Sequence, residues 1–252
     1  MVMAERRDEM VDYINEEGSV TFAQLKSRFP DVSDMTLRTD LKTLDKDHLI
    51  IRVHGGARSV SYALGTDDLL SRRASRRSGE KSLIATKAAE LIVPGHTIFL
   101  DSGSSTTALA SIMNDMDLMV FTNSITVASE LARLERPICH LLGGRLNRYS
   151  LSTKGSQAIE SARRLSFDQV FLGVAGYQPE EGFSCGDDDE AVFKRVLIER
   201  SRESTVLMDS SKEGMHATFR VCALSDVSTV ITDDDASDEF RQACVDASVR
   251  LL

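Results

Sequence analysis

The sequence predicts an α/β protein with a small helical part at its N-terminus and a larger parallel-sheet part after it. Three observations support this prediction. Short helical patterns follow one another up to about residue 60, and a glycine pair there is typical of a tight hairpin. From Glu80 onward, short apolar runs alternate with helical stretches, a pattern typical of a parallel sheet covered by helices on both faces.

The composition limits the classes of protein that fit. The chain has 252 residues, of which 42% are hydrophobic and 27% charged, so a sizeable core is possible. No apolar run approaches the roughly 20 residues that a membrane span needs, and the charged N-terminus lacks the apolar stretch of a signal peptide. The four cysteines form no CxxC pair and the five histidines show no ligand spacing. We therefore expect a cytoplasmic protein with no membrane contact, no metal and no cofactor.

The first two helices are predicted from their ends. Apolar residues recur at helical spacing over residues 7–15, and Gly18 ends that helix. Thr21 begins the second helix, because Gln24 three residues later completes a capping box. Pro30 closes it, since proline does not continue a helix.

The third helix is predicted from Ser33, its N-cap, to about Lys46. Leu37, Leu41 and Leu44 form an apolar stripe along one side. The residues on or near the opposite side are Met35, Arg38, Thr39, Lys42 and Lys46. A basic side opposite a leucine stripe is by itself commonly a solvated face, so a protein-binding role for this helix stays open.

A hairpin is predicted directly after the third helix. Residues 49–53 are β-like, and the paired glycines Gly55 and Gly56 suit the positive φ angles of a tight turn. Three helices followed by a two-stranded wing assemble most simply as a winged helix-turn-helix. We place this domain at residues 1–58.

The segment 59–79 is polar and is interpreted as a linker. It carries arginines at positions 72, 73, 76 and 77. The net charge of −9 opposes DNA binding, because phosphate contacts need Lys and Arg, although whole-chain charge does not describe one surface. We interpret the segment as a solvated hinge, and a position of its arginines near DNA is the alternative.

The larger domain, residues 80–252, is predicted from a helix over 80–92 and six short apolar runs. The runs cover residues 97–100, 118–121, 138–142, 169–174, 205–208 and 229–231. Ligands bind at the carboxyl ends of strands in open α/β sheets, so the residues that follow these runs are candidates for a binding site. The candidates are Asp101, Ser102, Gly103, Ser104, Ser105, Thr106, Thr122, Asn123, Ser124, Gly143, Gly144 and Lys212.

The loop after the first run carries the clearest chemical signal. Gly103 lets the backbone turn sharply, and residues 104–107 open the next helix, whose free N–H groups favour an anion. Phosphate is the obvious candidate, with Lys212 as a cationic partner from another strand end. A Ser/Thr-rich loop that merely caps its helix is the alternative, but the convergence of several such loops favours a ligand site.

The order of the motifs resembles the DeoR family of bacterial transcription regulators. Residues 32–41, Leu44 and the turn 54–57 resemble that family's DNA-binding domain. The motifs that look like those of its effector domain are Glu80-Lys81, 101–106, 122–124, 143–144, 171–173 and 209–212. The ordered set covers nearly the whole chain and is far more specific than any single motif.

The resemblance implies a winged helix-turn-helix that binds operator DNA, usually as an oligomer. It also implies a C-terminal domain similar to ribose-5-phosphate isomerase, which binds a phosphorylated sugar or a related metabolite. Most members of the family repress carbohydrate-catabolism operons. With the third helix in the major groove, the expected DNA contacts are Ser33, Thr36, Arg38, Thr39, Lys42, His54, Gly55 and Gly56.

The chain departs from the family at two places. The family commonly has Arg-Arg where this chain has Arg38-Thr39, and many members have Asp-Gly where it has Ala175-Gly176. The acidic motif of the isomerases falls on residues 172–176, which hold no carboxylate to act as a general base. We therefore expect a repressor that forms a homo-oligomer, and no enzyme. An isomerase-like or transferase-like enzyme and a protein-interaction module are the alternatives.

Overall fold

The computed structural model describes residues 3–47, 49–53, 55–59 and 70–252. By its contacts the chain divides into two compact units, Met1–Asp68 and Leu69–Leu252. His54, an expected DNA contact, and residues 60–69 of the predicted linker lie outside the described residues.

The smaller unit contains three helices and three short strands among its described residues. These elements are α1 Met3–Glu17, β1 Ser19–Thr21, α2 Phe22–Arg28, α3 Asp34–Lys46, β2 Ile50–Val53 and β3 Gly56–Ser59. The strands form an antiparallel sheet in the order β1-β3-β2. The predicted helices and hairpin are therefore confirmed, and the predicted two-stranded wing gains a third strand. The sequence did not reveal β1, because only Val20 of its three residues is buried.

The starts of α2 and α3 are the predicted ones, whereas α1 begins four residues before its predicted start at residue 7. The Thr21 hydroxyl accepts the Gln24 N–H at 3.2 Å, and Gln24 Oε1 accepts the Thr21 N–H at 2.8 Å, so both halves of the capping box form. The Ser33 hydroxyl accepts the Thr36 N–H at 3.2 Å and begins α3. The predicted leucine stripe of α3 lies in the hydrophobic core of the unit.

A buried carboxylate on α3 is a feature that the sequence did not reveal. Asp40 is 1% exposed, and its two oxygens accept hydrogen bonds from Arg6 Nε and Arg7 Nε, each at 2.8 Å. Both arginines lie on α1. These charge-assisted bonds therefore fasten α3 to α1 in addition to the apolar packing between them.

The larger unit is built around a seven-stranded parallel sheet. Its helices, among the described residues, are α4 Leu70–Ser75, α5 Ser78–Ala89, α6 Ser104–Ile112, α7 Ile125–Leu131, α8 Ser156–Arg163, α9 Asp188–Glu199 and α10 Asp238–Asp246. Its strands are β4 Thr97–Leu100, β5 Met119–Thr122, β6 Ile138–Leu141, β7 Arg145–Asn147, β8 Ser152–Lys154, β9 Phe167–Gly173, β10 Gly176–Gln178, β11 Gly182–Cys185, β12 Ser201–Leu207, β13 Phe219–Cys222, β14 Thr229–Ile231 and β15 Arg250–Leu251.

The seven-stranded sheet has the order β15-β14-β12-β9-β4-β5-β6, with every neighbouring pair parallel. The six apolar runs identified in the sequence are strands of this sheet, which confirms the predicted α/β class. The seventh strand, β15, has two residues, too few for a recognisable pattern. Two smaller antiparallel sheets are added, the hairpin β7–β8 and the sheet β10-β11-β13.

Both faces of the sheet are buried under apolar side chains. Along β4, Phe99 packs edge-on against Phe167 and Phe193, with ring centroids 5.4 and 5.7 Å away. Ile98 and Leu100 point to the opposite cluster, as the two-residue period of a strand requires. The helices bury their apolar sides in these clusters, and among the described residues no helix is long and apolar enough to cross a membrane.

The segment interpreted as a solvated linker, 59–79, is partly folded. Ser59 is the last residue of β3, α4 covers residues 70–75, and α5 begins at Ser78, two residues before the predicted helix start. The polar composition suggested a hinge, because the groups that bond to this segment, Tyr149 and Lys81, lie outside it.

Those bonds lie at both ends of α4. At its beginning, Leu70 is buried and its N–H donates to the Tyr149 carbonyl at 2.8 Å. At its end, the buried Lys81 ammonium donates to the carbonyl oxygen of Arg73 at 2.7 Å and to that of Arg76. A lysine that caps the last carbonyls of a helix replaces the bonds lost there.

Candidate DNA-binding face and effector site

The outward side of α3 carries the expected DNA contacts together. Arg38, Thr39 and Lys42 are exposed, and Met35 beside them is 76% exposed. They lie opposite the buried leucines, as the helical wheel predicts. The result is a polar and basic helix face that no described side chain of the core covers.

The first and the last residues of the expected DNA-contact set also have structural roles. The Ser33 and Thr36 hydroxyls lie 2.8 Å apart in a shared hydrogen bond at the start of α3. Gly55 has a φ of +81°, which favours glycine at the hairpin turn. At Gly56 an added Cβ would lie 2.0 Å from the Val20 carbonyl oxygen, so glycine is required for β3 to approach β1.

In the larger unit, the carboxyl ends of β4 and β5 open into a small polar cleft of about 10 Å³, room for about one water molecule. Its walls come from these strand ends, from α9 and from the β7–β8 hairpin. The lining residues are Ser102, Asn123, Asn147, Ser150, Ser152, Thr153, Lys154, Glu190 and Phe193. Of the residues predicted from the sequence, the cleft thus brings together Ser102 and Asn123.

A buried ion pair lies directly behind the cleft. Asp101 and Lys194 are both fully buried, and the Asp101 carboxylate accepts a hydrogen bond from the Lys194 ammonium. The same carboxylate oxygen accepts the Gly173 N–H at 3.2 Å, and Lys194 also meets the Glu190 carboxylate at 2.9 Å. One cation is therefore shared by two carboxylates, and Glu190 extends the network to the cleft wall.

The charges in this network change the acidity of its members. Burial by itself would lower the pKa of Lys194, but the carboxylates of Asp101 and Glu190 outweigh burial and raise it. Burial raises the pKa of Asp101, an effect that the Lys194 ammonium opposes.

Among the described residues, two buried oxygens, one behind the cleft and one at it, have no hydrogen-bond donor. They are Oδ1 of Asp101 and Oδ1 of Asn123. The Asn123 amide is oriented by its other atom, since Nδ2 donates to the Thr153 carbonyl at 3.2 Å. Buried acceptors without donors are costly, so a ligand that supplies hydroxyl donors here would relieve this cost.

Several of the hydroxyl groups predicted to bind the effector form hydrogen bonds within their own loops instead. The Thr106 hydroxyl is buried and donates to the Gly103 carbonyl at 3.1 Å. The Thr122 hydroxyl accepts the Ser124 N–H at 3.0 Å, and the Ser124 hydroxyl caps α7. Of these three side chains, only Ser124 caps a helix, and the hydroxyls of Thr106 and Thr122 form hydrogen bonds within their own loops.

The loop Ser102–Thr106 still leads into a helix start, as the sequence predicts. Gly103 has a φ of +153° and immediately precedes α6. The side chains of Ser104 and Ser105 are partly exposed in the first turn, where the N–H groups of a helix have no partner within the helix. This end of α6 can accept a negative charge.

The β7–β8 hairpin is fastened to the start of α9 by two ion pairs. Lys154 pairs with Asp187, and Arg145 pairs with Asp189 at 3.1 Å. Gly144, just before β7, also has a φ of +153°, and an added Cβ would lie 2.8 Å from the Lys154 carbonyl oxygen. The predicted Gly143-Gly144 turn therefore lets the hairpin fold back closely, and Gly143 is exposed.

Lys212 lies at the end of β12 but does not line the cleft. It belongs to a short 3₁₀ turn, Ser210–Lys212, that follows Asp209. Asp209 is buried, which by itself would raise its pKa, yet Lys212, Ser211, Lys81 and Arg77 together lower it. Lys212 is thus part of a mixed-charge cluster with Asp209 at its centre.

The sequence did not reveal four further site residues, Glu190, Lys194, Lys154 and Phe193. A signal for Lys194 was present, because it lies on the apolar stripe of α9 between the buried Ala191 and Leu197. A lysine at such a position is rarely buried unless it is paired. No comparable signal marks Lys154, because its hairpin is short and its partner is distant in the sequence.

The geometry defines a class of protein. A winged helix-turn-helix unit has a basic face on its third helix, and a separate α/β unit has a polar cleft at its strand ends. This combination is that of a ligand-responsive, DNA-binding transcription regulator.

Comparison with protein families identifies the class more closely. The model of the DeoR-like helix-turn-helix domain matches residues 6–63, and that of the DeoR C terminal sensor domain matches residues 76–234. The chain belongs to the DeoR family of transcription regulators.

Named relatives agree with this assignment along the full length. An HTH-type transcriptional regulator of Bacillus subtilis is 33% identical over 251 residues, covering 100% of this chain and 96% of the relative. The glycerol-3-phosphate regulon repressor of Escherichia coli is 30% identical over 252 residues, covering 100% and 99%. The lactose phosphotransferase system repressor of Streptococcus mutans is 32% identical over 240 residues, covering 94% and 95%. The chain is accordingly a regulator and not an enzyme.

Solved structures of similar fold include two different kinds of protein. One is ribose 5-phosphate isomerase A of Methanocaldococcus jannaschii, with a TM-score of 0.39, 17% identity and coverage of 53% of both chains. Another is a transcriptional regulator of Streptococcus pneumoniae, with a TM-score of 0.41, 12% identity and coverage of 67% of this chain and 86% of the other.

Proposed function

We propose that this regulator is a cytoplasmic repressor of a carbohydrate-catabolism operon, and that a phosphorylated sugar or a related anionic metabolite controls its affinity for the operator. We also propose that it acts as a homo-oligomer, since paired half-sites suit a symmetric protein. Relatives named for the glycerol-3-phosphate regulon and the lactose phosphotransferase system support the carbohydrate assignment.

The observation that carries the effector proposal is the polar cleft beside the N-terminal end of α6. A helix start favours phosphate, and the unpaired oxygens of Asp101 and Asn123 favour the hydroxyl groups of a sugar. One ligand that carries both groups satisfies both features. We place its phosphate over residues 102–105 and its hydroxyls towards Asn123.

The other predicted effector residues fall into two groups under this proposal. Gly143 and Gly144 shape the β7–β8 hairpin, which moves outward to admit the ligand. Lys212 attracts the negative charge of the ligand from outside the cleft. The buried side chains of Asp101, Thr106, Thr122 and Ser124 hold the strand ends in shape, apart from the free oxygen of Asp101.

The DNA contacts proposed for the smaller unit are those of its outward helix and its hairpin turn. Thr36, Arg38, Thr39 and Lys42 reach base edges or phosphates from α3 in the major groove. Ser33 and the glycine pair at positions 55 and 56 lie close to the DNA backbone.

A gel-shift experiment tests the whole proposal. The probe is the DNA upstream of the chain's own gene, titrated with the protein in the presence of individual sugar phosphates. We expect retardation of the probe, and its release by at least one sugar phosphate but not by the corresponding free sugar. Retardation that no sugar phosphate changes would contradict the proposed class of effector.

Two variants locate the phosphate. Ser104→Asp adds a negative charge at the start of α6, where it favours the helix but repels an anion, and Lys212→Ala removes a positive charge. Both should retain DNA binding and lose most of the response to the sugar phosphate. Arg202→Ala is the matched control, because Arg202 is 85% exposed at the opposite end of β12. If both variants respond like the parent protein, the phosphate lies elsewhere.

A further inference from the structure

An aromatic ring lies against the arginine at the centre of the proposed DNA-binding face. The guanidinium carbon of Arg38 is 4.3 Å from the centroid of the Phe22 ring. This distance is well inside the range of about 6 Å over which a cation is attracted to the face of an aromatic ring. Phe22 is the first residue of α2, whereas Arg38 belongs to α3.

The position of the Phe22 ring is fixed by its surroundings. The Phe22 N–H donates to the Gly55 carbonyl of the hairpin turn at 2.7 Å. The capping box of Thr21 and Gln24 fixes the backbone on either side of it, and the ring packs against the hydrophobic core of the unit. The ring is therefore held between the core and Arg38, and the backbone N–H of the same residue joins α2 to the turn.

The contact leaves the hydrogen-bond donors of Arg38 available. A guanidinium that stacks on a ring uses its flat face, and its N–H groups point outward in the plane of the group. Within the described residues no hydrogen bond or ion pair engages Arg38. By contrast, Arg6 and Arg7 donate to Asp40, and Arg28 donates to Glu9.

We infer that Phe22 is a positioning residue for DNA recognition. Its ring holds the Arg38 side chain extended along the surface of α3 before DNA arrives, so less side-chain freedom is lost on binding. Since the bidentate contact of an arginine to guanine depends on orientation, the ring contributes to sequence discrimination as well as to affinity. This inference rests on the proposed role of Arg38 as a base contact.

A double-mutant cycle on the full chain tests the inference. The probe is a duplex that the unaltered protein selects from a random-sequence library, and the reference is a duplex with the same bases in permuted order. Arg38→Ala should weaken binding of the selected duplex by roughly 5- to 150-fold. Phe22→Leu should weaken it by about 2- to 30-fold, and should have no further effect when Arg38 is already alanine.

Two comparisons separate positioning from general loss of packing. Phe22→Tyr keeps the ring and should bind within about 2-fold of the parent protein. Tyr13→Leu is the matched control, because Tyr13 is also partly buried against the same core and its ring lies 6.0 Å from the guanidinium carbon of Arg28, an arginine of α2. It should leave the ratio of affinities for the selected and permuted duplexes unchanged, whereas Phe22→Leu should reduce this ratio.

A further variant covers the case in which Phe22→Leu does not fold. Pentafluorophenylalanine at position 22 keeps the shape of the ring but removes the negative charge on its face. It should bind the selected duplex more weakly than the parent protein while unfolding at a similar temperature.

The outcomes are distinguishable. If Arg38→Ala binds like the parent protein, the proposed base contact of Arg38 is wrong. If Arg38→Ala weakens binding but neither change at Phe22 does, the positioning role is refuted and the base contact stands. If the effects of Phe22→Leu and Arg38→Ala are additive, the two side chains act independently and the inference is also refuted.

Discussion

Replacing Lys194 by methionine should destabilise the larger unit more than any exposed charge change. The variant leaves the carboxylates of Asp101 and Glu190 facing each other without the cation between them. Removing one partner of a buried ion pair costs about 3–5 kcal/mol, because a buried charge loses its compensation. For a domain of this size each kcal/mol shifts Tm by about 2–4 °C, so we expect Tm to fall by about 6–20 °C.

The assay is differential scanning calorimetry of the full chain, which follows the transition of the larger unit. The double variant Asp101→Asn with Lys194→Met removes charge of both signs, and should be more stable than Lys194→Met alone. Asp117→Asn is the control for an exposed pair, because Asp117 and its partner Arg136 are 70% and 54% exposed. It should leave Tm essentially unchanged.

A fall of less than 2 °C for Lys194→Met would refute the reasoning. It would mean that the pair is not buried in solution, or that Asp101 takes up a proton at little cost. A double variant that is less stable than Lys194→Met would refute the idea that the uncompensated carboxylate causes the loss.

Three further predictions concern other parts of the chain. Burial lowers the pKa of Lys81 from 10.5 to about 8, so as pH rises the folded state loses this proton before the unfolded state does, and the free energy of unfolding increases between pH 8 and 10.5. In urea denaturation the parent protein should gain about 2 kcal/mol relative to Lys81→Met from pH 8 to pH 10. Parallel pH profiles of the two proteins would contradict this. Asp40→Asn should lower the free energy of unfolding by about 2–3 kcal/mol, because Arg6 and Arg7 lose charge-assisted hydrogen bonds. Hydrogen exchange of the α3 amides should accelerate, and unchanged protection would show that these bonds contribute little. Gly144→Ala should lower Tm and loosen the β7–β8 hairpin, measured as faster hydrogen exchange there, because its Cβ would meet a carbonyl oxygen at 2.8 Å; an unchanged Tm would show that the hairpin adjusts freely.

The sequence was sufficient for elements whose signals are local. The caps at Thr21 and Ser33 depend on residues three positions away, and the six strands show as short apolar runs because a parallel sheet is buried on both faces. The strand order and the register do not follow from such patterns. They depend on contacts between residues far apart in the chain.

The polar part of the site was harder to predict for the same reason. Asp40 pairs with Arg6, which is 34 residues away in the sequence, and Asp101 pairs with Lys194 over a separation of 93 residues. From the sequence alone, such residues cannot be told apart from ordinary surface charges, and Asp101 is simply the one acidic residue of a Ser/Thr-rich loop. The hairpin that walls the cleft was missed because β7 and β8 have three residues each.

The hydrogen bond between Leu70 and Tyr149 joins two separate elements of the larger unit, a helix and a hairpin. Leu70 is the first residue of the first helix in the larger unit, and Tyr149 is in the turn of the hairpin whose strands wall the cleft. One backbone hydrogen bond therefore connects the hairpin that walls the cleft to the first helix of the larger unit.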